Sequence, residues 1–398
     1  MSEPTLVYLA CGRLFVRKPG EAPFELESPF GKQVIERQMR DREVNGWKGR
    51  SGVWAGMGMA PPSMNQWEEA GASDLTQPRA TAVARGAAAG KIVYVLDLVH
   101  VGGLFEYDLQ KKLERRLMHK EGFAASDLVV NRATGTYLFS VVRDNAAIRL
   151  ATSEQEGRYL TVVTGGDCVD QAPVWLGGDD KQVLFQSAPV GRNQVGLPIG
   201  LGPYAIRRAD LGAEHVETLL EAKDTDYLYP RPMPDGGMYF VRRPYEPPGE
   251  RKLSLGEMLL DVVLFPYRLL RATFHFLNFF SMMFSGKPLA TSVDGPQPGK
   301  RQDSSFLMLW GQMIDTKKAL AEAKKNVDVG LVPKTWELVR RDKNGAERTL
   351  ATNVLAFDLT ANGDVVYTNG AAIFLLSAGG ERRQLCRGEL IERVIAVE

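Results

Sequence analysis

The 398-residue chain is poor in the residues on which most enzyme chemistry depends. It has three cysteines, Cys11, Cys168 and Cys386, an odd number set far apart. That argues against a disulfide framework and against a close-spaced zinc site, and it suits reduced thiols. It has four histidines, His100, His119, His215 and His275, none at metal-ligand spacing to another or to a cysteine. Charge of neither sign is in surplus. Lysine plus arginine total 49 against 48 aspartate plus glutamate, so the balance offers nothing to nucleic acid. The opening stretch from Met1 to Gly12 lacks a basic segment followed by a long apolar one, so no secretory signal is read there. The expected location is the cytoplasm. Phosphate loop, dinucleotide fingerprint and nucleophile elbow are all missing. The stretch from Gly196 to Pro203 is glycine-rich but lacks the lysine and following helix of a phosphate loop. Asp170, Asp179 and Asp180 lack the ligand spacing of a calcium loop and read as turn residues. No catalytic residue, metal or cofactor is assigned, and the chain is read as a non-enzyme.

What is present is turn chemistry and a repeat. The 40 glycines suit an all-β chain with many tight turns. A unit of roughly 40 residues recurs, each an apolar strand, a Gly/Asp/Asn turn and further short strands. The clearest example runs Ala172–Leu176, turn Gly177–Lys181, Val183–Ser187, then Tyr204–Arg208 and Val216–Leu220. Tyr229–Gly237 before Met238–Val241 repeats the opening. So do Asp127–Gly135 before Tyr137–Val142 and Ala356–Gly363 before Val365–Thr368.

These openings resemble the TolB-type propeller repeat, roughly Pro-x-Trp-Ser-Pro-Asp-Gly followed by an apolar strand. Pro173 and Trp175 match it, whereas Gly177-Gly-Asp-Asp replaces Ser-Pro-Asp-Gly. The resemblance covers about half the chain and implies a fold without a function, because propellers host many activities. A β-sandwich of similar strand spacing is the alternative. The expected fold is all-β: a six-bladed β-propeller, with blades at 79–120, 121–166, 167–224, 225–352 and 353–388. The sixth blade combines 1–28 with 389–398: three strands within Leu6–Glu27 and a fourth at Arg393–Val397. Such pairing of the termini removes an open seam.

Two insertions with helical segments interrupt the pattern. In 29–78, Gly31–Val44 reads as a charged helix with a thin apolar stripe of Val34, Ile35, Met39 and Val44. Trp47, Trp54 and Trp67 follow, either in an arm over the propeller or as aromatic anchors of a partner-binding arm. The second insertion, 247–332, interrupts 225–352 and carries an apolar helix, or two helices meeting at Pro266, over 253–284. Glu257, Asp261, Arg268, Arg271, His275 and Asn278 share an arc of about 100°. The candidate membrane- or partner-binding face is Leu259, Leu260, Val263, Leu264, Phe265, Leu269, Leu270, Phe274, Phe276, Leu277, Phe279, Phe280, Met283 and Phe284. It is too wide to leave in water. Three destinations can bury it: a membrane surface, another protein chain including a second copy, or its own ring. A single crossing is disfavoured, since Arg268 and Arg271 would each cost about 2.5–3.5 kcal/mol. One crossing would also strand the rest of its blade across the bilayer. Asp315–Asn326 reads as a short soluble helix.

The expected function is a non-catalytic scaffold for protein–protein interaction, held at the inner face of a membrane or at a partner by the insertion. A propeller hydrolase or lactonase with a central site, and a homo-oligomer joined by the insertion, are the alternatives. Nucleic acid is not an expected partner.

Overall fold

The computed structural model describes residues 3–45, 78–98, 101–142, 147–154, 156–247, 306–309, 312–326 and 328–397. Within them the strands form six antiparallel four-stranded units, taken here as blades one to six. Blade one holds β1 (Thr5–Ala10), β2 (Arg13–Arg17) and β3 (Phe24–Leu26), and blade two β4 (Arg79–Arg85), β5 (Lys91–Asp97), β6 (Val101–Asp108) and β7 (Leu113–Glu121). Blade three holds β8 (Ala125–Val130), β9 (Tyr137–Val142), β10 (Ile148–Ser153) and β11 (Thr161–Val162). Blade four holds β12 (Cys168–Leu176), β13 (Gln182–Arg192), β15 (Ala205–Asp210) and β16 (His215–Leu220), with β14 (Pro198–Leu201) folded back on the end of β13. A single parallel pair, Ile148 with Val169, ties blades three and four. Blade five is β17 (Thr225–Pro232), β18 (Met238–Pro244), β21 (Glu337–Arg341) and β22 (Glu347–Thr352). Blade six is β23 (Ala356–Leu359), β24 (Val365–Thr368), β25 (Ala372–Leu376) and β26 (Arg382–Arg387).

The last strand, β27 (Ile391–Val397), completes blade one by pairing antiparallel with β1, from Thr5 opposite Val397 to Leu9 opposite Arg393. The innermost strands β27, β4, β8, β12, β17 and β23 touch in that order, and β23 returns to β27. The fold is an all-β propeller closed by its two termini.

Burial on both faces explains the strand sequences. Along β1, Val7 and Leu9 pack into the core shared with blade two. Leu6, Tyr8 and Ala10 pack into the core shared with blade six. A strand buried on both faces reads as a continuous apolar run, not as an alternation. Outer strands such as β22 are mostly exposed and carry charge, which protects an open sheet edge.

The insertions meet the ring at defined places. Helix α1 (Pro29–Asn45) starts at Ser28, whose Oγ accepts the Gly31 N–H at 3.1 Å. Phe30 anchors it on blade two: its N–H donates to Glu114, and its ring lies 5.2 Å from that of Phe105. Beyond this turn Lys32, Gln33, Glu36, Arg37 and Arg40 are exposed, as the thin apolar stripe requires. Within the second insertion lie a hairpin, β19 (Phe306–Leu309) with β20 (Gln312–Asp315), and helix α2 (Thr316–Lys325). The chain then crosses onto blade six before returning to β21. There the Leu331 N–H donates to the Asn369 carbonyl at 2.8 Å, and Asn353 Nδ2 donates to the carbonyls of Val329 and Val332. Gly370 has φ +89°, and a Cβ there would sit 2.6 Å from Leu331, so this crossing demands glycine. Among the described residues no helix is long and apolar enough to cross a membrane.

None of the three cysteines forms a disulfide. Cys11 is exposed, while Cys386 lies in the core between blades six and one. Burial pushes the Cys386 thiol from an ordinary 9.0 up to about 11. A raised folded-state value ties the protonated thiol to the fold, so its contribution is complete below about pH 9 and is lost as pH rises toward 11. A thiol-reactive probe at pH 8 is expected to label Cys11 in the native protein and Cys386 only after denaturant is added. Equal labelling rates for the two would contradict this packing.

Candidate functional site

The residues with the most chemistry converge where the innermost strands surround the ring axis. Five of these six strands carry a β-bulge: β4 at Thr81, β8 at Ser126, β12 at Ala172 and Pro173, β17 at Tyr229 and Pro230, and β27 at Glu392. A bulge leaves its extra residue outside the ladder and re-aims the side chain. Thr81 Oγ1 donates to the Ala125 carbonyl at 2.7 Å, and Ser126 Oγ to Asp127 Oδ2 at 2.9 Å. Ala172 (φ 49°) and Tyr229 (φ 58°) are held in the left-handed region. For non-glycine residues this costs about 1–2 kcal/mol, so surrounding bonds must enforce it. At Tyr229 the backbone N–H is fixed on Gln186 Oε1 at 2.8 Å.

An ion pair bridges the inner strands of two alternate blades. Arg393 of β27 in blade one meets Asp127 of β8 in blade three at 2.5 Å. The same guanidinium lies 5.8 Å from the ring centroid of Tyr229 in blade five. Arg393 thus joins three alternate blades. Burial disfavours its charge, but Asp127 more than offsets this, and the guanidinium titrates above its usual range. Its neighbour Glu392 has a carboxyl pushed up by burial, with Arg79 and Arg393 pulling the other way. Lower on the closure strand, Asp358 accepts the Ala396 N–H at 2.9 Å and Arg85 Nη2 at 2.5 Å, while Arg85 Nε donates to the Ala396 carbonyl. Side chains of blades two and six therefore grip the backbone of β27.

A second buried pair staples blade four to blade five. Asp226 and Arg243 face each other across β17 and β18 at 2.7 Å, both at most 2% exposed. Asp226 Oδ1 also accepts the Tyr204 N–H at 2.8 Å, and Arg243 lies over the Trp336 ring at 4.5 Å. Burial raises the Asp226 carboxyl, opposed by Arg243 and the Tyr204 N–H.

On the periphery, the β13–β14 hairpin of blade four leaves Val195, Leu197 and Ile199 exposed (77, 55 and 46%). Its turn is fixed: Asn193 Oδ1 accepts the Val195 and Leu197 N–H groups, and Arg192 Nη1 donates to the Gly196 carbonyl. Arg192 is also bound to Asp167, whose carboxyl is held below its usual range by that guanidinium.

The sequence-derived candidates Leu259 to Phe284, and Trp47, Trp54 and Trp67, lie outside the described residues. The axial set Asp127, Tyr229, Arg231 and Arg393, and the hairpin apolar residues, were not among those candidates. Blade openings containing Asp127 and Tyr229 carried a signal, since innermost strands line an axis. Arg393 gave none beyond its place in the closing strand. Among the described residues no group of three or more His, Cys, Asp or Glu is placed to hold a metal.

No protein-family profile matches the chain, and no curated protein matches it in sequence. Among solved structures it is similar to TolB from Acinetobacter baumannii, with 13% identity, 98% of this chain and 66% of that chain covered, and a TM-score of 0.49. It is similar to the tricorn protease, with 12% identity, 99% of this chain and 34% of that one, TM-score 0.45. A chain of the nidogen/laminin complex shares 6% identity over 98% of this chain and 97% of its own, TM-score 0.48. This chain spans less than two thirds of the first two.

Proposed function

We propose that this TolB-like propeller is a binding scaffold that engages a protein partner through its blade-four hairpin. The observation that carries this reading is the exposed tip of Val195, Leu197 and Ile199 on a turn locked by Asn193, Arg192 and Asp167. Three apolar side chains on a fixed turn expose hydrophobic area at little further entropic cost on binding. The axial carboxylates support the same reading, because Asp127 and Asp358 are engaged by Arg393 and Arg85 in holding the ring.

The test is quantitative cross-linking of wild type and a Val195→Ser/Leu197→Ser/Ile199→Ser variant in cells of the source organism. A partner enriched by wild type is expected to fall at least tenfold with the variant, whose thermal stability should be unchanged. Equal recovery by both proteins would overturn the hairpin as the docking element.

Attachment to a membrane surface is the second part of the proposal and rests on sequence alone. The apolar face from Leu259 to Phe284 beside Arg251, Lys252 and Lys287 has the composition of an interfacial helix. Co-sedimentation with anionic liposomes is expected for wild type and not for a chain lacking 253–284. Equal sedimentation of both would sink the anchoring claim, and a stable dimer in detergent-free buffer would assign the face to a second copy.

A further inference from the structure

The geometry points to an oxoanion site at the ring axis, built by Arg231 and Arg393 beside the Tyr229 aromatic ring, that takes a carboxylate or phosphate group. Arg231 is the central observation. It follows the β17 bulge, is half-buried, and its guanidinium lies 4.8 Å from the Tyr229 ring centroid. Among the described residues its one hydrogen bond goes from Nη1 to the Pro230 carbonyl at 2.9 Å, and no carboxylate lies within ion-pair distance. A guanidinium has five N–H donors in a fork that matches carboxylate and phosphate oxygens. Ring stacking compensates the cation in part and leaves those donors available.

The charge around this ring does not balance. Arg231, Arg393 and Arg85 face Asp127 and Asp358; Asp127 is taken by Arg393 and Asp358 by Arg85. Glu392 stands between Arg79 and Arg393. Among the described residues one positive charge remains, that of Arg231. Inside a closed ring of low polarisability such a charge attracts an anion more strongly than the same charge on an open surface. The strained backbone of Tyr229 fits the same picture. Its N–H is pinned by Gln186, and that holds the ring where both guanidiniums reach it. This inference does not depend on the hairpin or on the apolar insertion.

The experiment uses the full chain in low-salt buffer, with inorganic phosphate and succinate titrated separately by calorimetry and by thermal unfolding. One site per chain is expected, with a saturable rise in Tm for at least one of the two anions. The anion that acts identifies the source as a phosphate or a carboxylate. Arg231→Gln, which keeps most of the stem, should weaken binding about tenfold or more, as loss of a charge-assisted pair implies. Arg231→Lys should recover part of it, and the off-axis Arg13→Gln should bind as wild type does. Neither anion binding saturably would overturn the site. So would unchanged affinity in Arg231→Gln, which would assign the binding to surface cations. If Arg231→Gln fails to fold, the Arg231→Lys variant decides: affinity equal to wild type with both anions excludes a role for the guanidinium fork.

Discussion

Asp226→Ala is expected to destabilise the protein by about 3–5 kcal/mol, read as a fall in urea midpoint at unchanged slope. The reason is the charge it leaves behind. Arg243 is 1% exposed, and its carboxylate partner sits 2.7 Å away in the same hairpin. Without Asp226 the guanidinium loses the carboxylate that faces it at 2.7 Å, and the Tyr204 N–H loses its acceptor. Removing one member of a buried ion pair costs far more than the pair contributes. The double variant Asp226→Leu/Arg243→Met separates these effects. It removes both charges and keeps the volume, so it is expected to recover most of the loss. A double variant as unstable as Asp226→Ala would show that hydrogen bonding to Tyr204, and not charge burial, dominates the blade-four to blade-five joint.

Deleting residues 391–398 is expected to leave no cooperatively folded monomer. The strand buries Ile391, Val394, Ala396 and Val397 to 3% exposure or less. The three larger side chains alone are worth about 1.5–3 kcal/mol each, which is comparable with the whole stability of an ordinary domain at about 5–15 kcal/mol. The deletion also strands Asp127, 2% exposed as a side chain, without Arg393, and frees the Asp358–Arg85 clamp from Ala396. The exposed edge of β1 then offers a long apolar strand to other chains, and aggregation follows. A synthetic peptide of residues 390–398 added during refolding should restore a soluble, cooperative species. A truncated chain that unfolds at the wild-type midpoint would mean that the ring does not depend on its closing strand.

Much of the fold was legible along the chain. Continuous apolar runs such as Leu6–Leu9 announced strands buried on both faces, and the glycine and aspartate turns separated them. Three strands at one end and one at the other implied closure, and β27 pairs with β1. Less was legible of the axial site. Thr81, Ser126, Tyr229 and Glu392 are brought to the axis by bulges, and a bulge changes pairing by one residue without altering composition. Arg231 lies in the Pro-rich opening Tyr229–Gly237, where no spacing in the sequence marks it. The hairpin tip read as a glycine-rich loop, because exposure of Val195, Leu197 and Ile199 depends on what fails to cover them.

By itself the sequence determined that this is an all-β repeat chain that closes on its own termini, because strand periodicity and turn chemistry are local properties. Tertiary structure alone decided which charges meet. Asp127 and Arg393 are neighbours only after every blade between them has closed the ring, and Tyr229 presents its face to two arginines only because a bulge and Gln186 hold it there. Few and scattered cysteines and histidines, and a balance of charge, leave no chemistry to read along the chain. The axis places its arginines and carboxylates by long-range closure, where sequence spacing carries no distance information.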